Sequence, residues 1–176
     1  MNPKLFESIN SGKITIVGER GLPEYYPSPP DTENLLFYIQ RNQNTNTVVY
    51  ELNRLHDGGI NPAYPIKVFW LRFSENCKIQ ELNYIQNKLA YGYESTQINN
   101  ESFEFELVSY RKLKFYIGRD KNGKYRAFTN INSNLSIVSN IYVYVEDFGL
   151  FPDVKYIELY GEDVDLQTFV YEKIYI

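Results

Sequence analysis

The chain has 176 residues, a formal net charge of −4 and 43% hydrophobic content. This fits one domain with a sizeable buried core and gives no general reason to expect affinity for nucleic acid or acidic membranes. One histidine and one cysteine leave little of the usual catalytic and metal-binding vocabulary, and a lone Cys77 excludes an intrachain disulfide. That thiol is expected to be buried and inert. No stretch approaches the roughly 20 apolar residues that cross a bilayer as a helix, and the opening MNPKLFESINSGKITIVGERG lacks the apolar core of a secretory leader. As it stands the chain reads as cytoplasmic; an exported chain shorn of its signal would read the same way.

Residues 1–34 hold Gly18, Gly21 and the proline-rich LPEYYPSPP, a composition that favours an extended arm ahead of a domain over 35–176, with a short strand at 14–17. LLFYIQ (35–40) and TVVYEL (47–52) flank the polar RNQNTN and predict a hairpin. After a loop rich in Gly, Pro and Asn comes a third strand, IKVFWLRF (66–73). Ile79, Leu82, Ile85 and Leu89 recur at helical spacing, which predicts a helix over 79–91 with that stripe on the sheet and Gly92 as its left-handed terminator.

Further strands follow at 102–110, 113–118, 124–131, 135–147, 154–161 and 166–176, with Asp120-Lys121-Asn122-Gly123 as a hairpin turn. The 17 tyrosines and 11 phenylalanines concentrate in these segments, as suits half-buried pleated surfaces. Short connections imply antiparallel neighbours. The expected fold is mainly β: an antiparallel meander of about nine strands, its curved sheet closing to a barrel or sandwich, with one packed helix near 79–91.

Four blocks in order, NLLFYIQRNQNTNTVVYELN (34–53), VFWLRF (68–73), ELNYIQNKLAYGY (81–93) and FELVSYRKL (105–113), resemble an uncharacterised bacterial family catalogued only as a domain of unknown function. The resemblance covers roughly residues 30–160. It implies a single β-rich domain, often exported behind a signal sequence, and carries no activity with it.

Alternation on the third strand puts Val68, Trp70 and Arg72 on one face and Phe69, Leu71 and Phe73 on the other, the second set being the expected core face. Trp70 and Arg72, with Tyr38 and Gln40 or Val48 and Tyr50 from the hairpin, then either line a polar-aromatic cavity or form an exposed face where Arg72 covers aromatic rings. Between 111 and 126 seven Lys and Arg residues face only Asp120. Lys114 shares a strand face with Tyr116, and Arg126 with Phe128. Such an array attracts anions, unless its charges balance acidic neighbours such as those of the C-terminal third.

Glu162, Asp163 and Asp165 read as a turn rather than a calcium loop. His56, in RLHDGG, is the one imidazole available to activate Cys77 or a serine, and Glu51 with Glu104 or Glu106 is the carboxylate pairing to consider. No activated-nucleophile or phosphate-loop motif accompanies them. The functional expectation is a non-catalytic binding domain for a small or extended anionic ligand, either a small molecule or a peptide. Its expected binding residues are Trp70, Arg72, Tyr38, Tyr50, Lys114 and Arg126, and no cofactor, metal or nucleic acid is expected. The alternatives are a protein-interaction module presenting an aromatic sheet face, and a hydrolase or isomerase using His56 or paired carboxylates.

Overall fold

The structure, a computed structural model, describes residues 13–17, 23–146 and 153–176. Gly18, Gly21 and Asp147, to which the sequence assigned an arm and a strand end, lie outside the described residues. Strands β1 (Lys13–Val17) and β2 (Pro23–Pro27) pair antiparallel as a separate ribbon. The other strands are β3 (Leu35–Arg41), β4 (Asn44–Leu52), β5 (Ile66–Arg72), β6 (Lys78–Glu81), β7 (Tyr93–Asn99), β8 (Ser102–Leu107), β9 (Tyr110–Arg119), β10 (Tyr125–Ile131), β11 (Asn134–Val145), β12 (Val154–Asp163) and β13 (Phe169–Tyr175). They form one 11-stranded sheet that curls into a half-barrel.

The sheet is mixed rather than wholly antiparallel, because β11 has two neighbours on one edge. Its first half pairs antiparallel with β10, from Asn134 to Ile137, and its second half pairs parallel with β3, from Asn140 to Val143. Its other edge carries β12, which in turn carries β13. Chain connectivity between consecutive strands is still antiparallel, as short links require; the parallel pair joins strands far apart in sequence.

A bulge marks the fork. The β11–β12 register runs Val138↔Gly161 and then Asn140↔Tyr160, leaving Ser139 as an extra residue. An extra residue reverses which side chains face the core. Val138 points into the main core before it and Ile141 after it, so Asn140, Tyr142 and Tyr144 are turned to the opposite face. Gly161 faces this bulge because a Cβ there would sit 2.2 Å from the Ile137 carbonyl oxygen and 2.9 Å from Ile131 Cδ1.

Two arms diverge from β11, one through β3, β4 and β5 and the other through β10, β9 and β8, and the main core fills the space between them. Phe37 of β3 joins the arms. Its ring stacks on Tyr50 at 4.3 Å and lies 5.7 Å from Phe115 and 6.2 Å from Phe105. The Tyr50 hydroxyl donates to the Tyr91 carbonyl at 2.6 Å, and burial, then the neighbouring Tyr91, push its pKa up. The Tyr93 hydroxyl both donates to the Ile66 carbonyl and accepts from the Ile66 N–H, at 2.8 and 3.0 Å; burial pushes its pKa up to about 12.

Four expectations are corrected. The segment 79–91 splits into β6 and one short helix, α1 (Tyr84–Leu89), capped by Asn83 with Gln86 in a reciprocal capping box. Ile79, Ile85 and Leu89 are exposed and only Leu82 packs on the core. The residues recur at helical spacing, but Ile79 pairs with Leu71 in an edge strand. Gly92 keeps a negative φ, and what demands glycine there is the Asn87 carbonyl oxygen, which a Cβ would meet at 1.8 Å.

On β5 the core side is Ile66, Val68 and Trp70, with Phe69, Leu71 and Phe73 outside that cluster. Both faces of VFWLRF are apolar, so alternation could not choose between them. Cys77 is exposed, at a left-handed turn with φ 59°. Strand β7, whose side chains are almost all exposed, had no apolar alternation to reveal it. Among the described residues no helix is long and apolar enough to cross a membrane.

Two substitutions test this account by urea denaturation. Phe37→Ala should cost about 3–5 kcal/mol, the usual loss for a fully buried aromatic ring. Gly161→Ala should cost roughly 1–3 kcal/mol although it adds a single methyl, because the atom it meets is backbone.

Candidate functional site: a groove at the sheet fork

Where β10 and β3 part from each other along β11, a groove of about 1030 Å³ opens on the face opposite the Phe37 stack. Arg126 and Phe128 of β10 form one prong and Tyr38 of β3 the other. Ser139 and Asn140 lie at the junction, Glu162 continues the lining on β12, and Asp165 and Phe169 extend it toward β13. Ser28, Pro29 and Asp31 cross one side. That segment is held by Gln40 Nε2 donating to the Pro27 carbonyl at 3.1 Å and by Lys124 Nζ lying 3.5 Å from Asp31. The Tyr38 hydroxyl lies 3.5 Å from Ser28 Oγ; burial raises its pKa and this contact partly offsets the rise.

Asn140 is 1% exposed, and its Nδ2 has no hydrogen-bond partner among the described residues. Ser139 Oγ lies 3.1 Å from Asn140 Oδ1 and 3.0 Å from the Tyr160 carbonyl, so one serine hydrogen serves two acceptors while the amide donors point to none. An orphaned buried donor costs about 1–3 kcal/mol. A bulge tends to mark places where a strand re-aims a side chain, and here it turns the amide of Asn140, the first residue of β11 to pair with β3, into the groove.

Charge is distributed unevenly along the groove. At the β9–β10 end, Arg126 Nε donates to Asp120 at 3.1 Å and Arg119 is engaged by Glu101 at 2.9 Å. Lys121, in the same turn, has no ion-pair partner among the described residues. At the β12–β13 end Asp163 accepts the N–H groups of Asp165 and Leu166 at 2.9 and 2.8 Å, which fixes the expected turn. Glu162 and Asp165 are exposed there, with no ion-pair partner among the described residues. Among the described residues no group of three or more His, Cys, Asp or Glu side chains gathers as a metal site.

Beyond the groove the same face is a second, tyrosine-rich cluster of Tyr38, Tyr142, Tyr144, Tyr156 and Tyr160. Buried Glu158 accepts from the Tyr160 and Tyr171 hydroxyls at 2.9 and 2.6 Å. Burial first, and then the Glu158 charge, raise the pKa of Tyr160; both raise that of Tyr171 as well. Lys173 Nζ lies 3.6 Å from the Tyr156 ring centroid.

The residues expected from sequence are dispersed. Tyr38 and Arg126 line the groove. Trp70 is closed into the main core, edge-on to Tyr91 at 5.2 Å with Nε1 donating to Gln86 at 3.3 Å. Tyr50 is fully buried in the Phe37 stack. Arg72 turns to Glu75, 2.7 Å away, and Lys114 pairs with Glu106 and, at 3.8 Å, Glu104.

The basic run is balanced mainly by Glu94, Glu101, Glu104 and Glu106 of the β7–β8 hairpin and its turn rather than by the C-terminal acids, since β8 pairs with β9. His56 is exposed on its loop, and no acid is bonded to it among the described residues. Sequence reasoning missed Ser139 and Asn140. The available signal was the polar pair that interrupts SIVSNIYVYV and breaks its alternation.

The chain matches the family described as domain of unknown function DUF4833 over residues 37–173. It belongs to that family. The matched region holds both arms of the fork and all groove residues except the crossing segment at 28–31 and Leu35 and Leu36 at the start of β3. No curated protein and no solved structure matches the chain.

The groove's basic end also carries a pH-dependent element. Burial works to raise the Asp120 carboxyl, but Arg126 and the N–H groups of Lys124 and Asn122 outweigh it and hold it below its usual value. A depressed native pKa means its stabilisation is complete above about pH 4 and is lost as pH falls through the native value. Asp120→Asn should therefore lower stability at pH 7 by roughly 1 kcal/mol, Arg126 being one-third exposed, and make little difference at about pH 2. Thermal melts at the two pH values check this.

Proposed function

We propose that this protein is a non-catalytic binding domain that holds a small or extended ligand, bearing an anionic group, in the groove at the sheet fork. The observation that carries this reading is Asn140, a 1% exposed amide on the lining of a groove of about 1030 Å³ whose Nδ2 lacks a partner among the described residues. A site that fixes ligand orientation typically combines apolar walls with a few convergent polar groups. Phe128, Ile137, Leu135 and Phe169 supply the walls, and Tyr38, Asn140 and Arg126 the polar groups. Arg126 engages Asp120 through Nε, which leaves its remaining N–H groups for a carboxylate or phosphate.

A second reading, a protein-interaction module, draws support from β6 and α1. Ile79, Tyr84, Ile85 and Leu89 are 65%, 77%, 67% and 68% exposed, and exposed apolar groups beside an edge strand suit a partner surface.

Native mass spectrometry of the purified protein against its denatured mass separates the readings. A reproducible adduct is expected, lost in Leu135→Trp, which fills the groove from an exposed position, and weakened about fivefold to tenfold in Asn140→Ala. An adduct that survives Leu135→Trp overturns the groove reading. So does the absence of both an adduct and any NMR-detected fragment binding at Tyr38, Arg126 and Asn140.

A further inference from the structure

We infer that the groove's ligand class is a short peptide with both termini free, bound with its carboxylate at the β9–β10 end and its ammonium group at the β12–β13 end. The inference rests on the binding reading above and deepens it. Its first support is the placement of charge. Lys121 and the uncommitted N–H groups of Arg126 lie toward one end of the groove, and Glu162 and Asp165 toward the other. These acids and Lys121 have no ion-pair partner among the described residues, so they neutralise neither one another nor a neighbour. A purely anionic ligand leaves the acidic end unmatched. A zwitterion of suitable length matches both ends.

The sheet register gives that length. Phe128, Ile137 and Glu162 lie in one row across β10, β11 and β12. Arg126 is two residues along β10 from that row, on the side leading to the β9–β10 turn. Two strand spacings of about 4.8 Å and two residues of about 3.4 Å separate the Arg126 and Glu162 Cα atoms by roughly 12 Å. An extended chain covers about 3.3–3.6 Å per residue, so three to five residues reach between the charged ends.

Asn140 is the second, independent support. It sits beside the fork on the same stretch of β11, buried, with its amide donor unpartnered among the described residues. A peptide passing over it offers backbone carbonyls at regular intervals, and one of them accepts from Nδ2. The apolar lining from Phe128, Ile137 and Phe169 then meets side chains rather than backbone.

The test uses the full chain and a set of Ala-Xaa-Ala tripeptides with free termini, their Nα-acetyl and C-amide forms, and inorganic phosphate alone. Binding is read by calorimetry and by amide NMR shifts at Tyr38, Arg126 and Asn140. At least one free tripeptide is expected to bind, with acetylation and amidation each weakening it tenfold or more. In the exposed double variant Glu162→Gln, Asp165→Asn, free and acetylated peptides should bind equally. In Lys121→Ala, the penalty for amidation should shrink.

Blocked peptides that bind as well as free ones overturn the inference, as does saturation by phosphate with no added affinity from peptides. Silence from every tripeptide also overturns it. If a co-purifying mass is then still lost in Leu135→Trp, the binding reading survives with a different ligand class; if no such mass exists, both fall.

Discussion

One extra residue, Ser139, stands between Val138 and Asn140 on β11 where β12 has no counterpart, and the side-chain alternation of the strand reverses across it. Because a strand's side-chain period is two, this shift sends Ile141 into the main core and Asn140, Tyr142 and Tyr144 to the other face. It also coincides with the exchange of lateral partners from β10 to β3. Both cores and the groove depend on it. The packing that tolerates the bulge is equally local: Gly161 lets β12 approach the Ile137 carbonyl more closely than any side chain allows.

The aromatic layer is the largest packed contact between the two arms, beside the Tyr93–Ile66 hydrogen bonds and the aliphatic core. Phe37 lies on the arm that pairs parallel with β11, while Phe105 and Phe115 lie on the arm that begins with β10. Near-parallel rings, at interplanar angles of 1° and 15°, bury large apolar area at the span where backbone hydrogen bonds no longer connect the arms. The surface charges contribute less. Arg111 meets Glu94 and Glu106 with its side chain about half exposed, and solvent screens pairs of that kind. Their effect is to neutralise the hairpin, while Lys121 at one end of the groove and Glu162 and Asp165 at the other have no ion-pair partner among the described residues.

Local chemistry in the sequence reported much of this fold. The 120–123 turn forms as read, with Gly123 at φ 79° and Asp120 accepting from Asn122 and Lys124. The hairpin of β3 and β4 forms too, its strands running into RNQNTN until only Asn42 and Gln43 remain between them. Errors arose where a local pattern had two physical meanings. Spacing that suits a helix over 79–91 also suits an edge strand followed by one helical turn. In VFWLRF, where both faces are apolar, only the facing arm determines which one is core. Tyr38 and Arg126, expected from the sequence as binding residues, line the groove although they are not neighbours in any local sense, and Asn140 was passed over because an asparagine inside a strand has no distinctive periodicity of its own.

What the sequence by itself determined is the class of fold and its strands: abundant tyrosine and phenylalanine in alternating runs, turn residues between them, and membership of the DUF4833 family over residues 37–173. Propensity, alternation and turn geometry are properties of a few adjacent residues, so they are legible along the chain. The tertiary structure alone decided that β11 would take β3 as a parallel neighbour about 100 residues away, that Trp70 would be core while Arg72 met Glu75, and that Tyr38, Arg126 and Asn140 would share one groove. Those outcomes depend on how two arms pack against each other across a single aromatic layer, a long-range balance that no window of neighbouring residues contains.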